Sequence, residues 1–136
     1  MKVENALYPT RERIAALLSD ESEQPIVMLN LLKFRDKAQY QDGRGSGLSG
    51  REAYMLYGRR MREIVMREGG RIVFSGAVRG LAIGTVEDLW DAAAMVEYPS
   101  AKAFARIATS PEVAEIGVHR AAGLAGQLLI PVSETP

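Results

Sequence analysis

Apolar residues fall into short blocks separated by polar or glycine-rich stretches, and the spacing within each block predicts its element. In TRERIAALLS, residues 10–19, Ile14, Leu17 and Leu18 recur at helical spacing behind Thr10, a capping residue type. This predicts a short helix, followed by the polar break DESEQP. IVMLNLLKF, residues 26–34, is apolar on both alternating faces and is bounded at each end, the pattern of a central strand covered on two sides. Residues 35–49 read as a polar, glycine-rich, flexible loop. Ser49 and Glu52 then have capping-box spacing. Tyr54, Tyr57, Met61, Ile64, Val65 and Glu68 follow at helical intervals, predicting a helix over 50–68 that Gly69-Gly70 stops.

RIVFSGAV, 71–78, reads as a strand, and LWDAAAMVEY, 89–98, as a second one ended by Pro99. Ser100 opens a helix over 101–108. Ser110 and Pro111, cap and first helical residue, start another that runs to about Ala122, before Gly123 and Gly126. QLLIPV, 127–132, is the last strand. The order after the first helix is β-α-β-β-α-β, the split β-α-β or ferredoxin-like arrangement. The expected fold is α+β: two helices over one face of a four-stranded antiparallel sheet, with an extra N-terminal helix. Residues 1–136 are expected to form one domain, with a helical extension over 1–23 and a core over 24–132. Because the first strand is apolar on both faces, the open face needs cover, and a homodimer through that face is the simplest source.

Composition narrows the chemistry. Lys plus Arg equals Asp plus Glu, so the formal charge is zero and no nucleic-acid or membrane-surface partner is expected. No apolar run approaches the roughly 20 residues of a membrane span, and the N-terminus lacks a signal-peptide pattern, so cytoplasm is the default compartment. Without cysteine there is no disulfide, thiolate nucleophile or thiolate-ligated zinc, and one histidine supplies no zinc set. No metal and no cofactor is expected. Gly45, Gly47 and Gly50 match G-x-G-x-x-G, a dinucleotide-binding spacing. In that motif the first glycine turns directly off a strand and the helix N-terminus meets the pyrophosphate. Here a long loop intervenes after Phe34, and the following strand leads to another strand. These glycines are therefore read as loop.

PIVMLNLLKF, the Tyr54 and Tyr57 pair, WDAAAMVEYPSAKAF and SPEVAEIGVHRAAGLAGQLLIP occur in an order that resembles a family of uncharacterised bacterial domains, DUF thirteen-thirty, of the dimeric α/β-barrel superfamily. The resemblance spans residues 24–131. It implies a ferredoxin-like protomer that dimerises sheet to sheet as a dimeric α/β barrel, and it implies no reaction. The wider superfamily includes cofactor-free monooxygenases, isomerases and haem-degrading oxygenases, several with the ligand between sheet and helices. Asn30, Trp90 and His119 are similar in order to the Asn, Trp and His of the haem-degrading members. Their spacing differs, so those roles are not carried over.

Four residues are candidates for ligand binding: Asn30, Tyr54, Tyr57 and Arg120. Asn30 interrupts the most apolar strand, where an amide needs partners. Parity groups it with Ile26, Met28, Leu32 and Phe34, and groups Lys33 with Val27, Leu29 and Leu31; alternation alone leaves open which set faces the helices. Arg120 lies on or beside the apolar stripe of its helix and needs a carboxylate, carbonyls or an anionic ligand, with Glu97 and Glu68 as possible partners. Tyr54 and Tyr57 share the inward face of their helix. Trp90 and His119 are weaker candidates, Trp90 as core or interface and His119 as an outward residue paired with Glu115. The functional expectation is a small planar or carboxylated organic molecule bound between sheet and helices, with cofactor-independent oxidation or isomerisation as the chemistry. The alternative is a non-catalytic homodimeric structural or interaction domain.

Overall fold

A computed structural model describes residues 1–135. Its elements are α1 (Arg11–Leu18), β1 (Ile26–Phe34), α2 (Gly50–Arg67), β2 (Arg71–Ala77), β3 (Ala92–Tyr98), α3 (Ala101–Ala108), α4 (Pro111–Gly123) and β4 (Leu124–Val132). The four strands form one antiparallel sheet in the order β2-β3-β1-β4. The architecture is α+β with the split β-α-β connectivity.

Local chemistry starts the helices where the residue types say it should. Thr10, Ser49, Ser100 and Ser110 each accept a hydrogen bond from the backbone N–H three residues on. At α2 the Glu52 carboxylate reaches back to the Ser49 N–H, completing the capping box. This holds the Glu52 carboxyl below the usual carboxylate range.

Two strand boundaries differ from the expected ones. β3 begins at Ala92, not at residue 89, because the Asp91 carboxylate accepts the Phe34 N–H in place of a ladder carbonyl. β4 begins at Leu124, not at residue 127, because α4 passes into it without a loop. Leu124 is fully buried, which holds that corner in the core. Gly126 does not interrupt the strand; its missing side chain leaves room for Asn5.

Ile26, Met28 and Leu32 are buried, so the parity set containing Asn30 faces the helices. Ile26 and Met28 share one core cluster with Ile64 and Val65 of α2, Phe104 and Ile107 of α3, and Val113 and Ile116 of α4. Helix α1 lies against α3 and adds Leu17 to the same core. The opposite face carries Val27, Leu29 and Leu31 of β1, Met95 of β3, Phe74 of β2 and Ile130 of β4. No element covers it among the described residues, and Phe74 there is 58 % exposed.

The 35–49 loop is anchored, contrary to the expectation of a freely flexible segment. Tyr40 is buried between Ala53 of α2 and Ala122 of α4. The Arg35 and Gln39 N–H groups donate to the Gly123 and Ala122 carbonyls at 2.8 and 2.9 Å, satisfying the open end of α4. No helix is long and apolar enough to cross a membrane among the described residues.

Candidate functional site

The helix-facing side of the sheet holds one polar chain. Arg120 donates through Nη2 to Gln127 Oε1 at 2.6 Å, and Gln127 Nε2 donates to Asn30 Oδ1 at 2.7 Å. Asn30 Nδ2 in turn donates to the Met28 and Ala94 carbonyls at 3.2 and 3.3 Å. Three strands and a helix thus meet through side-chain amides. Gln127 is 8 % exposed, and it is the residue that sequence reasoning missed. The sequence shows only a polar residue in the last apolar strand; its register with inward-facing Leu32 comes from the fold.

Arg120 ends the chain with donors to spare. Among the described residues its guanidinium has no carboxylate partner, and the Tyr8 ring lies 5.7 Å from Cζ to centroid. Neither expected carboxylate serves. Glu97 points to the opposite face of the sheet, where it pairs with Arg71 at 3.0 Å. Glu68 lies at the C-terminal end of α2 and pairs with Arg67.

Tyr54 and Tyr57 face inward on α2, with rings 5.5 Å apart, and Phe34 lies 5.5 Å from Tyr54 on the other side. Burial pushes both phenols above the ordinary tyrosine range. The Arg120 charge pulls each back towards ionisation, which places the guanidinium within electrostatic reach of both hydroxyls. Tyr98 of β3 belongs to the same group: burial raises its phenol first, then Tyr57 and Tyr54. None of the three hydroxyls has a hydrogen-bond partner among the described residues. Among the described residues the sole fully buried, unpartnered side-chain polar atom is Arg35 Nε, so each of these hydroxyls keeps some solvent contact. Ala92 and Ala94 also face the helices from the central part of the sheet yet remain half-exposed.

The weaker candidates lie elsewhere. Trp90 precedes β3 and donates its indole N–H to Asn5 Oδ1 at 2.8 Å. His119 is not paired outward with Glu115; it is half-buried, and its Nδ1 lies 2.6 Å from the Tyr40 hydroxyl. The anchored loop has folded over the face of α4 that looked solvent-exposed.

Two surface depressions, of about 490 and 160 Å³, are separate from this cluster. The larger lies under the glycine loop at the start of α2. Of its two cations, Lys37 and Arg44, the second is held by both oxygens of Asp42, and the capping box already occupies the helix terminus. The smaller lies where α2, α3 and α4 meet, beside the Arg67–Glu112 ion pair. Among the described residues no group of three or more His, Asp or Glu side chains is arranged to hold a metal ion.

RPA0582, a protein of unknown function from Rhodopseudomonas palustris, is 33 % identical to this chain. The match covers 98 % of this chain and 99 % of that one, with a TM-score of 0.85. This chain belongs to the RPA0582 family. The methylated form of RPA0582 matches at 35 % identity over 97 % and 96 % of the two chains, with a TM-score of 0.87. A dimeric protein of unknown function with a ferredoxin-like fold, from Bacteroides fragilis, is a more distant likeness. It has 16 % identity over 81 % and 96 % of the two chains, and a TM-score of 0.45. No protein-family model and no curated protein matches the chain. The RPA0582 family is thus shared from end to end, and no reaction comes with it.

Proposed function

We propose that this protein binds a small planar or carboxylated organic molecule in the cleft between sheet and helices, at Arg120. The observation that carries this reading is the guanidinium itself. It is half-buried, it has a single amide acceptor, and no carboxylate balances it among the described residues. A partly desolvated cation without a counter-charge is costly, and an anion that accepts its free N–H groups removes that cost. Tyr54 and Tyr57 add two unpartnered hydroxyls beside it, one polar edge in a largely apolar recess.

The same donors would stabilise the oxyanion of an enolate, the charge that forms in isomerisation and in cofactor-independent oxidation of activated aromatics. No carboxylate or free imidazole stands in the cluster to take a proton, so the reading stops at binding. A thermal-shift panel of aromatic acids, aliphatic acids and quinols tests it. Carboxylates are expected to raise the melting temperature of wild type and not of Arg120→Ala. No shift in wild type across the whole panel overturns the proposal.

A second reading concerns assembly, and it is supported by the uncovered apolar sheet face with half-exposed Phe74 and Ile130. We infer a homodimer through this face, in the manner of the dimeric α/β barrels that the sequence resembles. It is compatible with a ligand in each protomer, because the cleft lies on the other side of the sheet.

A further inference from the structure

The residues before α1 are held by three separate contacts, two of them at the candidate site and one, through Asn5, at Trp90 and Gly126. The Ala6 N–H donates to the Gln127 carbonyl at 3.1 Å, and the Gln127 N–H donates to the Ala6 carbonyl at 2.9 Å. Asn5 accepts from the Trp90 indole, and its Cβ fills the space that the missing side chain of Gly126 leaves. Three residues after Asn5, the Tyr8 ring comes over Arg120 while remaining 67 % exposed. Gln127 therefore joins both halves of the arrangement. Its side chain holds Arg120, and its backbone holds the segment that brings Tyr8 to Arg120.

We infer that residues 6–8 form the outer wall of the ligand site, that Tyr8 is a specificity-determining residue, and that the ligand class is an aromatic carboxylate. The inference rests on the proposed anion site at Arg120. A carboxylate bonded to the free edge of a guanidinium lies in the plane of that group. An aromatic acid is flat through its carboxylate, and in the proposed pose its ring lies against the exposed Tyr8 ring, whose face is already turned to Cζ. Tyr54 and Tyr57 supply rings on the inner side. An aliphatic acid satisfies the guanidinium equally well but gains little from these rings.

The test is calorimetric titration with benzoate and with cyclohexanecarboxylate, which share the carboxylate and differ in planarity. The proteins are wild type, Tyr8→Ala, Tyr8→Phe, Ala6→Pro and Arg120→Ala. Wild type is expected to prefer benzoate. Tyr8→Ala should lose roughly 3- to 10-fold in benzoate affinity, with little change for cyclohexanecarboxylate, and Tyr8→Phe should keep the wild-type preference. Ala6→Pro removes the N–H that binds Gln127. It should weaken benzoate as Tyr8→Ala does, and it should change the emission of the sole tryptophan, Trp90, by releasing Asn5.

Benzoate affinity that is lost in Arg120→Ala but unchanged in Tyr8→Ala overturns the outer wall and leaves the anion site standing. Equal affinity of wild type for the two acids overturns the aromatic class. Binding of neither acid by wild type overturns both the wall and the anion site.

Discussion

At the scale of single residues, the cluster divides into groups that satisfy one another and groups that do not. Asn30 and Gln127 spend most of their capacity on each other, on Arg120 and on strand carbonyls. They set the position of Arg120 and hold the sheet together at that point. The phenols of Tyr54, Tyr57 and Tyr98 are the unspent groups, and burial is the main cause of their raised pKa values. This has a consequence at alkaline pH. Below the ordinary tyrosine pKa of about 10 the phenols are neutral in both folded and unfolded chains. Above it the unfolded chain loses these protons first, so stability falls as pH rises from about 10 towards the higher folded-state values. Urea unfolding at pH 9 and 11 should show this loss. Replacing all three tyrosines by Phe should reduce its slope, and an unchanged slope would place the alkaline loss elsewhere.

At the scale of elements, α2 and α4 cross at glycines. A side chain at Gly50 would meet the Arg35 backbone and the Gly123 carbonyl, and one at Gly123 would meet the backbone of Gly50 and Tyr54. This close approach puts Tyr54 and Arg120 on neighbouring turns of two packed helices. It also explains the last glycine of the G-x-G-x-x-G pattern without a nucleotide. Gly45, the first, has open space around it and no left-handed backbone. Gly123→Ala is expected to destabilise the protein by about 1–3 kcal/mol through overpacking, whereas Gly45→Ala should stay within about 0.5 kcal/mol of wild type. Equal effects in denaturant melts would remove the crossing as the reason for the motif.

At the scale of the whole molecule, the helices bury one side of the sheet and leave the other apolar. Val27, Leu29 and Leu31 on that side explain why β1 reads as a strand apolar on both faces when only one face is covered within the protomer. Light scattering at micromolar concentration should report a dimer, and Phe74→Glu with Ile130→Glu should convert it to a monomer that still folds. A monomeric wild type would contradict sheet-to-sheet assembly. Ligand binding at Arg120 should survive the conversion, since the two faces are separate.

Much of this fold was readable one residue at a time because its determinants are local. Caps at Thr10, Ser49, Ser100 and Ser110, the Gly69-Gly70 stop and the alternation in β1 act within a few residues of themselves. They settled the order of elements, most of their ends, and the inward placing of Tyr54 and Tyr57. The tertiary structure decided what depends on neighbours distant in sequence. The faces of β1 look alike until burial of Met28 and Leu32 shows which one meets the helices. Glu97 is a plausible partner for Arg120 by charge and lies on the wrong side of the sheet. His119 looks like a surface residue until Tyr40, 79 positions earlier, is laid against it. Gln127 looks like an ordinary strand residue until Arg120, Asn30 and Ala6 converge on it. Periodicity reports which way a side chain faces along its own element; only packing supplies the partner that gives it a role.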